Sequence, residues 1–173
     1  GDITQAMAEF QAAARLDAGY ADLQFRLGQG FLAGNQTNEA RASFETALEV
    51  DALRFRADAR LNDLLVVAGQ RHASRGVALC DTRAALARQS HDGLPGEEQF
   101  YDHVHLTFEG NYQVALIMAE AVAPWLPDPA RKSDRGAWPN RELCARGLGW
   151  ADWNRRQALQ SMRQRLAEAP FTN

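Results

Sequence analysis

The residues best suited to chemistry lie in one short stretch, residues 100–112, which combines acidic, imidazole and aromatic side chains with a glycine. Asp102 and His105 are three residues apart, so both side chains can face one pocket on a turn that enters a helix. A carboxylate there can accept a hydrogen bond from one imidazole nitrogen, which fixes the tautomer and leaves the other nitrogen free as a general base. The spacing therefore makes Asp102 and His105 the candidate catalytic residues.

The longer arrangement resembles the last sequence block of SGNH (GDSL-type) hydrolases. It consists of Asp102, His105, Leu106 and, five residues after the histidine, Gly110. In that family this Asp and His complete a Ser-His-Asp triad, and the Ser lies near the start of the domain. The resemblance implies that Asp102 orients the imidazole, that His105 is the base, and that the reaction is acyl-ester hydrolysis.

The same stretch allows two other interpretations. A histidine near a helix start is commonly a capping or core residue, so Asp102 and His105 could be structural. His103 and His105 could also offer two imidazoles to a metal ion, but no further His, Cys or Asp cluster stands at ligand spacing. We therefore rank a metal site last and expect no cofactor.

A complete triad needs more than an acid and a base. The SGNH pattern requires a serine on a Gly-x-Ser turn after a strand, together with oxyanion donors. The serines of the chain are Ser43, Ser74, Ser90, Ser133 and Ser161, and none stands in that setting. The chain also begins with Gly-Asp, without a Met, and is expected to be a C-terminal part of a larger protein. We expect it to be inactive by itself, because His105 then has no nucleophile to activate.

Residues 1–53 contain an internal repeat with an offset of 34 residues. The offset superimposes small and aromatic positions, among them Ala6 on Ala40 and Phe10 on Phe44. Thirty-four residues is the period of the tetratricopeptide (TPR) helix pair, and small residues in such a pair let two helices approach closely. The repeat predicts TPR-like helical hairpins, which could bind a protein or peptide partner.

Residues 54–126 follow a different pattern, with predicted helices near 57–74, 82–89 and 108–123. The apolar run at 77–80 follows a glycine and predicts a short, buried parallel strand. By resemblance this segment is the last part of an SGNH-like α/β domain. The TPR units of residues 1–53 are then fused to or inserted in that domain, as in a group of bacterial SGNH-like proteins. The predicted fold class is mostly α, with TPR-like helical hairpins and a small α/β remnant.

The rest of the chain is predicted to be a linker and a pair of helices. Residues 127–140 carry prolines and mixed charge and are typical of a linker. Residues 141–173 predict a helical hairpin with TPR-like packing, in which Trp150 and Trp153 share one helical side.

The amino-acid composition and net charge limit the kinds of partner that the chain is expected to bind. Hydrophobic content is 46%, charged content is 24% and the net charge is −3, so nothing in bulk charge favours nucleic acid or an anionic membrane. No apolar run is long enough to span a membrane.

Cys80 and Cys144 form no CxxC pair, and their pairing stays open. The compartment is also open, although the resemblance is compatible with an extracytoplasmic location. An unpaired strand edge would favour self-association.

The hydrolase and interaction-module interpretations predict different structures. A hydrolase origin predicts a strand at 77–80, with Asp102 and His105 beyond its edge, about 3 Å apart and open to solvent. An interaction module predicts helical surroundings and a buried histidine.

Overall fold

The computed structural model describes residues 3–127 and 137–169, so most of the predicted linker at 127–140 and residues 170–173 lie outside the described residues. The helices are α1 (Ile3–Leu16), α2 (Ala21–Ala33), α3 (Thr37–Val50), α4 (Ala59–Arg71), α5 (Thr82–Gln89), α6 (Phe108–Val122), α7 (Arg141–Gly147) and α8 (Asp152–Leu166). Short 3-10 turns occupy Ala73–Arg75, His91–Gly93 and Ala123–Trp125. The chain is mostly helical, which confirms the predicted mostly α fold class.

The chain divides into two compact units, Gly1–Val77 and Ala78–Asn173. The first holds α1 to α4, and the second holds α5 to α8 together with the Asp102–His105 stretch. The division into four segments predicted from the sequence stays a prediction.

The first unit is built around the hairpin of α2 and α3. Leu27 and Ala40 are buried within it. Gly28 faces the ring of Phe44 so closely that a Cβ atom on Gly28 would lie 2.5 Å from a ring carbon. The Phe44 ring also lies 5.5 Å from that of Phe25, centroid to centroid. The absence of a side chain at Gly28 therefore lets α2 and α3 approach closely, and the Phe44 ring fills the space between them.

Local capping explains where several helices begin. At each of these starts a side-chain oxygen accepts a hydrogen bond from a backbone N–H of the first turn, which would otherwise lack a partner. The caps are Asp58 for α4, Asp81 for α5, Thr107 for α6 and Asn140 for α7. The Thr107 cap fixes the end of the Asp102–His105 stretch.

The second unit has a small core between α5 and α6. Ala85, Leu86 and Ile117 form its buried cluster, and Cys80 and Val114 pack against it. Cys80 is a free cysteine, as is Cys144.

The strand predicted at 77–80 does not form. These residues have no regular secondary structure, and the apolar side chains of Val77 and Leu79 are exposed. A strand is stabilised by backbone hydrogen bonds to a neighbour, and the described residues offer this segment none. The β pairing found in the described part of the chain is one isolated antiparallel bridge, between Phe100 and Leu106.

Side-chain contacts join α7 to α6. Arg141 pairs with Glu109 at 2.6 Å, and its guanidinium carbon lies 5.5 Å from the centre of the Phe108 ring. Trp150 stacks on Phe108, with ring centroids 5.0 Å apart and an interplanar angle of 14°. Trp150 precedes α8, so the prediction that it shares a helical side with Trp153 is wrong: the Phe108 ring gives the indole an apolar partner outside the helix.

Candidate functional site

The Asp102–His105 pair lies in a loop that closes on itself immediately before α6. The bridge between Phe100 and Leu106 brings the two arms of the loop together. The backbone N–H of Tyr101 donates to the carbonyl of His105 at 2.7 Å. These bonds hold residues 101–105 as a tight turn, and they place both candidate side chains in a loop rather than on the helix.

Buried contacts anchor the base of this loop. Gln99 is 1% exposed, and its carbonyl accepts a 2.8 Å hydrogen bond from the backbone N–H of Thr107. The Thr107 hydroxyl donates to the carbonyl of Glu98 at 2.6 Å and accepts from the N–H of Gly110 at 3.0 Å. A Cβ atom on Gly110 would overlap the carbonyl oxygen of Gln99. The glycine of the Asp-x-x-His block therefore allows the first turn of α6 to press against the loop.

The pair itself has the geometry of an oriented imidazole. Nδ1 of His105 lies 2.8 Å from Oδ2 of Asp102. Oδ1 of Asp102 accepts hydrogen bonds from the backbone N–H groups of Val104 at 2.8 Å and His105 at 2.7 Å. The Asp102 side chain is only 5% exposed, whereas that of His105 is 44% exposed. The carboxylate is thus held from inside the loop, and the imidazole reaches out from it.

The hydrogen bonds decide the charge of Asp102. Burial disfavours the ionised carboxylate and by itself would raise the pKa of Asp102. The backbone N–H groups of His105 and Val104 and the imidazole of His105 favour the ionised form, and together they outweigh burial. The pKa of Asp102 is consequently lowered from its ordinary value. The ionised carboxylate of Asp102 can only accept, so Nδ1 of His105 is the donor; in the neutral form of the imidazole, Nε2 then carries the lone pair.

A second Asp–His contact shows which features distinguish this pair. Nδ1 of His91 lies 2.8 Å from Oδ2 of Asp92, the same distance as in the Asp102–His105 pair. The His91 side chain, however, is 91% exposed, and the two residues are neighbours in sequence. Distance alone is therefore not distinctive. The Asp102–His105 pair differs in the burial of its carboxylate, since the Asp102 side chain is 5% exposed and that of Asp92 is 36% exposed.

The open nitrogen of His105 faces an arginine. Nη1 of Arg165, on α8, lies 3.4 Å from Nε2 of His105. Within the described ranges, no hydroxyl or thiol forms a hydrogen bond with Nε2. Sequence reasoning missed Arg165, because it stands 60 residues from His105 and no local pattern connects the two.

The structure brings together the two predicted site residues, Asp102 and His105, but supplies only part of the geometry expected for a hydrolase origin. The pair is within hydrogen-bond reach and the imidazole is open to solvent, but there is no strand at 77–80 beside it. A groove of about 450 Å³, lined in part by Leu79, Cys80 and Ile117, does not include either residue of the pair.

The structure also bears on a metal site and on membrane-spanning helices. Among the residues that the structure describes, no three His, Cys, Asp or Glu side chains come close enough together to hold a metal ion. None of the described helices has both the length and the apolar character that crossing a membrane requires.

Comparison of the chain with protein-family models, curated proteins and solved structures gave no match.

Proposed function

We propose that the Asp102–His105 pair is the acid–base half of an SGNH-type acyl-ester hydrolase site, in a protein that also carries TPR-like helices. The observation that supports this proposal is the 2.8 Å contact between a buried carboxylate and an exposed imidazole. Asp102 holds His105 as the Nδ1–H tautomer and directs the lone pair of Nε2 away from the loop. That lone pair is what a general base needs.

In the proposed reaction a serine hydroxyl gives its proton to Nε2 of His105 while the serine oxygen attacks the ester carbonyl carbon. The imidazolium then gives this proton to the oxygen of the departing alcohol. The same nitrogen next deprotonates a water molecule, whose oxygen attacks the carbonyl carbon of the acyl-serine, and the imidazolium returns this proton to the departing serine oxygen. Asp102 stabilises the imidazolium at both stages. The reaction requires a serine to reach Nε2, where the described residues have Arg165, so we expect no triad-dependent turnover from the pair alone.

The test is ester hydrolysis with p-nitrophenyl acetate as substrate. It uses the 173-residue chain and the natural full-length protein, each with a His105→Ala variant. We expect activity in the full-length protein that is lost with His105→Ala, and none above background in the 173-residue chain. Full-length protein that is inactive, or unaffected by His105→Ala, contradicts the proposal.

A matched control is needed because exposed imidazoles hydrolyse this ester without any site. His91→Ala provides it, since His91 contacts Asp92 at the same 2.8 Å but lies almost fully in solvent. Loss of activity in His105→Ala but not in His91→Ala would assign the activity to the Asp102–His105 pair. Equal losses in the two variants would assign it to background imidazole chemistry.

A second candidate, a non-catalytic interaction module, is favoured by the surface of α4. Leu61, Leu64 and Leu65 lie at helical spacing and are all exposed. Exposed apolar stripes of this kind commonly mark protein contact surfaces. In this alternative the helices of the first unit, α4 among them, bind a protein partner or a second copy of the chain, and the Asp102–His105 pair only stabilises its loop.

Light scattering tests the self-association that this alternative includes. A dimer that is lost in Leu64→Glu, but kept in Leu16→Glu, would assign association to α4. Leu16 is a suitable control because it is also exposed but lies on α1. A monomer at all concentrations contradicts self-association through α4.

A further inference from the structure

Arg165 occupies the position that a proton donor would take beside His105. Because Nδ1–H of His105 donates to Asp102, Nε2 is an acceptor in the neutral form of the imidazole, and the N–H of Arg165 can then donate to it across 3.4 Å. A general base has to accept its proton at this same nitrogen. The described arrangement therefore covers the base that the proposed function uses.

Among the residues that the structure describes, no carboxylate balances the charge of Arg165. Other arginines of the chain form ion pairs, such as Arg141 with Glu109 at 2.6 Å and Arg26 with Asp22 at 2.7 Å. Arg165 forms no such pair with any of the described residues, and its contact is with Nε2 of His105 at the long distance of 3.4 Å. A guanidinium binds carboxylate or phosphate oxygens by shorter, charge-assisted and often bidentate hydrogen bonds. An oxyanion is therefore the stronger partner for Arg165.

Moving the Arg165 side chain would cost little packing. Arg165 is exposed, and α8 contributes no buried residue. His105 is held from the opposite side, by Asp102, and does not depend on Arg165 for its orientation. A ligand can thus draw the guanidinium away while the Asp102–His105 pair keeps its geometry.

We propose that Arg165 is the third residue of this site: it covers Nε2 of His105 when no ligand is bound, and it binds an oxyanion group of an arriving ligand, which uncovers the nitrogen. The ligand class is a compound with a carboxylate or phosphate group near the bond to be cleaved. The importance of uncovering Nε2 rests on the proposed function, but the binding of the anion to Arg165 does not.

Nuclear magnetic resonance of the ¹⁵N-histidine-labelled chain tests the anion site directly. Sodium phosphate, and separately sodium acetate, are titrated against sodium chloride at equal ionic strength while the ¹⁵N shift of His105 Nε2 is followed. We expect a saturable shift with at least one of the two anions, and its absence in Arg165→Ala. The comparison of phosphate with acetate identifies which oxyanion the site prefers.

Arg163→Ala is the matched control, because Arg163 is an exposed arginine on the same helix, about 200° around its axis from Arg165. It should keep the saturable shift. A shift that does not saturate with either anion, or one that persists unchanged in Arg165→Ala, overturns the proposal. A loss in both variants does so too, because it would indicate general attraction to a basic helix.

Carbethoxylation of His105 by diethyl pyrocarbonate tests the covering of Nε2. The reagent attacks the unprotonated imidazole nitrogen, so Arg165→Ala should raise the modification rate of His105 several-fold and leave that of His91 unchanged. An unchanged rate at His105 overturns the covering role. Neither readout needs ester turnover, so a failure here is distinguishable from a failure of the hydrolase proposal.

Discussion

Two contacts join His105 to the carboxylate of Asp102, one through the backbone N–H of His105 and one through its imidazole ring. The backbone N–H of His105 donates to Oδ1 of Asp102 at 2.7 Å, and Nδ1 of His105 faces Oδ2 at 2.8 Å. One carboxylate therefore fixes both the turn on which the imidazole stands and the direction of its ring. A single residue thus couples the structure of the loop to the chemistry of the base.

Replacing Asp102 with Asn should change the tautomer of His105. Asparagine can still accept the backbone hydrogen bonds through its oxygen. The NH₂ group that then takes the place of Oδ2 is a donor, so it cannot accept a hydrogen bond from Nδ1–H. We expect the Nδ1–H form to dominate in the wild type and a larger share of the Nε2–H form in Asp102→Asn. Two-bond ¹H–¹⁵N correlation spectra distinguish the tautomers. The matched Asp92→Asn variant should leave His105 unaffected, and identical His105 spectra in wild type and Asp102→Asn would contradict an orienting role.

The stability contributed by Asp102 should depend on pH in a defined direction. A carboxyl group whose pKa is lowered on folding binds fewer protons in the folded state, so it stabilises the fold at pH values above its unfolded pKa. With an unfolded value of about 3.9, the contribution is fully present at neutral pH. It is lost as the pH falls through 4 and then through the lower folded value.

Urea unfolding of the wild type and of Asp102→Asn at several pH values measures this contribution. The difference between their free energies of unfolding should be largest near pH 7 and should shrink below about pH 4. A difference that stays constant from pH 7 to pH 3, or grows on acidification, would show that Asp102 is not stabilised as a carboxylate.

Gly110→Ala should destabilise the loop beneath the site. The added methyl group meets the carbonyl of Gln99 and the side chain of Leu106, so the start of α6 has to shift. We expect a loss of about 1–3 kcal/mol in the free energy of unfolding. Gly147→Ala is the control, since no atom lies within 4 Å of a Cβ atom placed there. That variant should change stability by less than about 1 kcal/mol, and equal effects of the two substitutions would contradict the packing argument.

Trp150→Ala should weaken the packing of the segment after α7 against α6. The indole of Trp150 stacks on Phe108 at 5.0 Å, so its removal leaves one face of that ring without a partner. We expect a destabilisation of about 1–2 kcal/mol in thermal or urea unfolding. Trp153 is 67% exposed and serves as the control, with an expected change within about 0.5 kcal/mol. A larger effect from Trp153→Ala than from Trp150→Ala would show that the stacked contact is unimportant.

Helices were the part of the fold that the sequence predicted well. The predicted helices at 82–89 and 108–123 correspond to α5 and α6, because apolar periodicity and caps such as Asp81 and Thr107 are local signals. The prediction of a strand at 77–80 was wrong because a strand, unlike these helices, depends on a partner elsewhere in the chain. An apolar run indicates that a segment suits a sheet, but a strand exists only when a neighbour supplies backbone hydrogen bonds.

The sequence by itself determined the identity and local geometry of the candidate pair, since Asp102 reaches His105 through bonds that span only three residues. Only the tertiary structure decided that Asp102 is buried while His105 stays open, that Trp150 stacks on Phe108, and that Nη1 of Arg165 lies 3.4 Å from Nε2 of His105. Those relationships join residues far apart in the chain, or depend on solvent exclusion by the whole unit, and no local pattern encodes them.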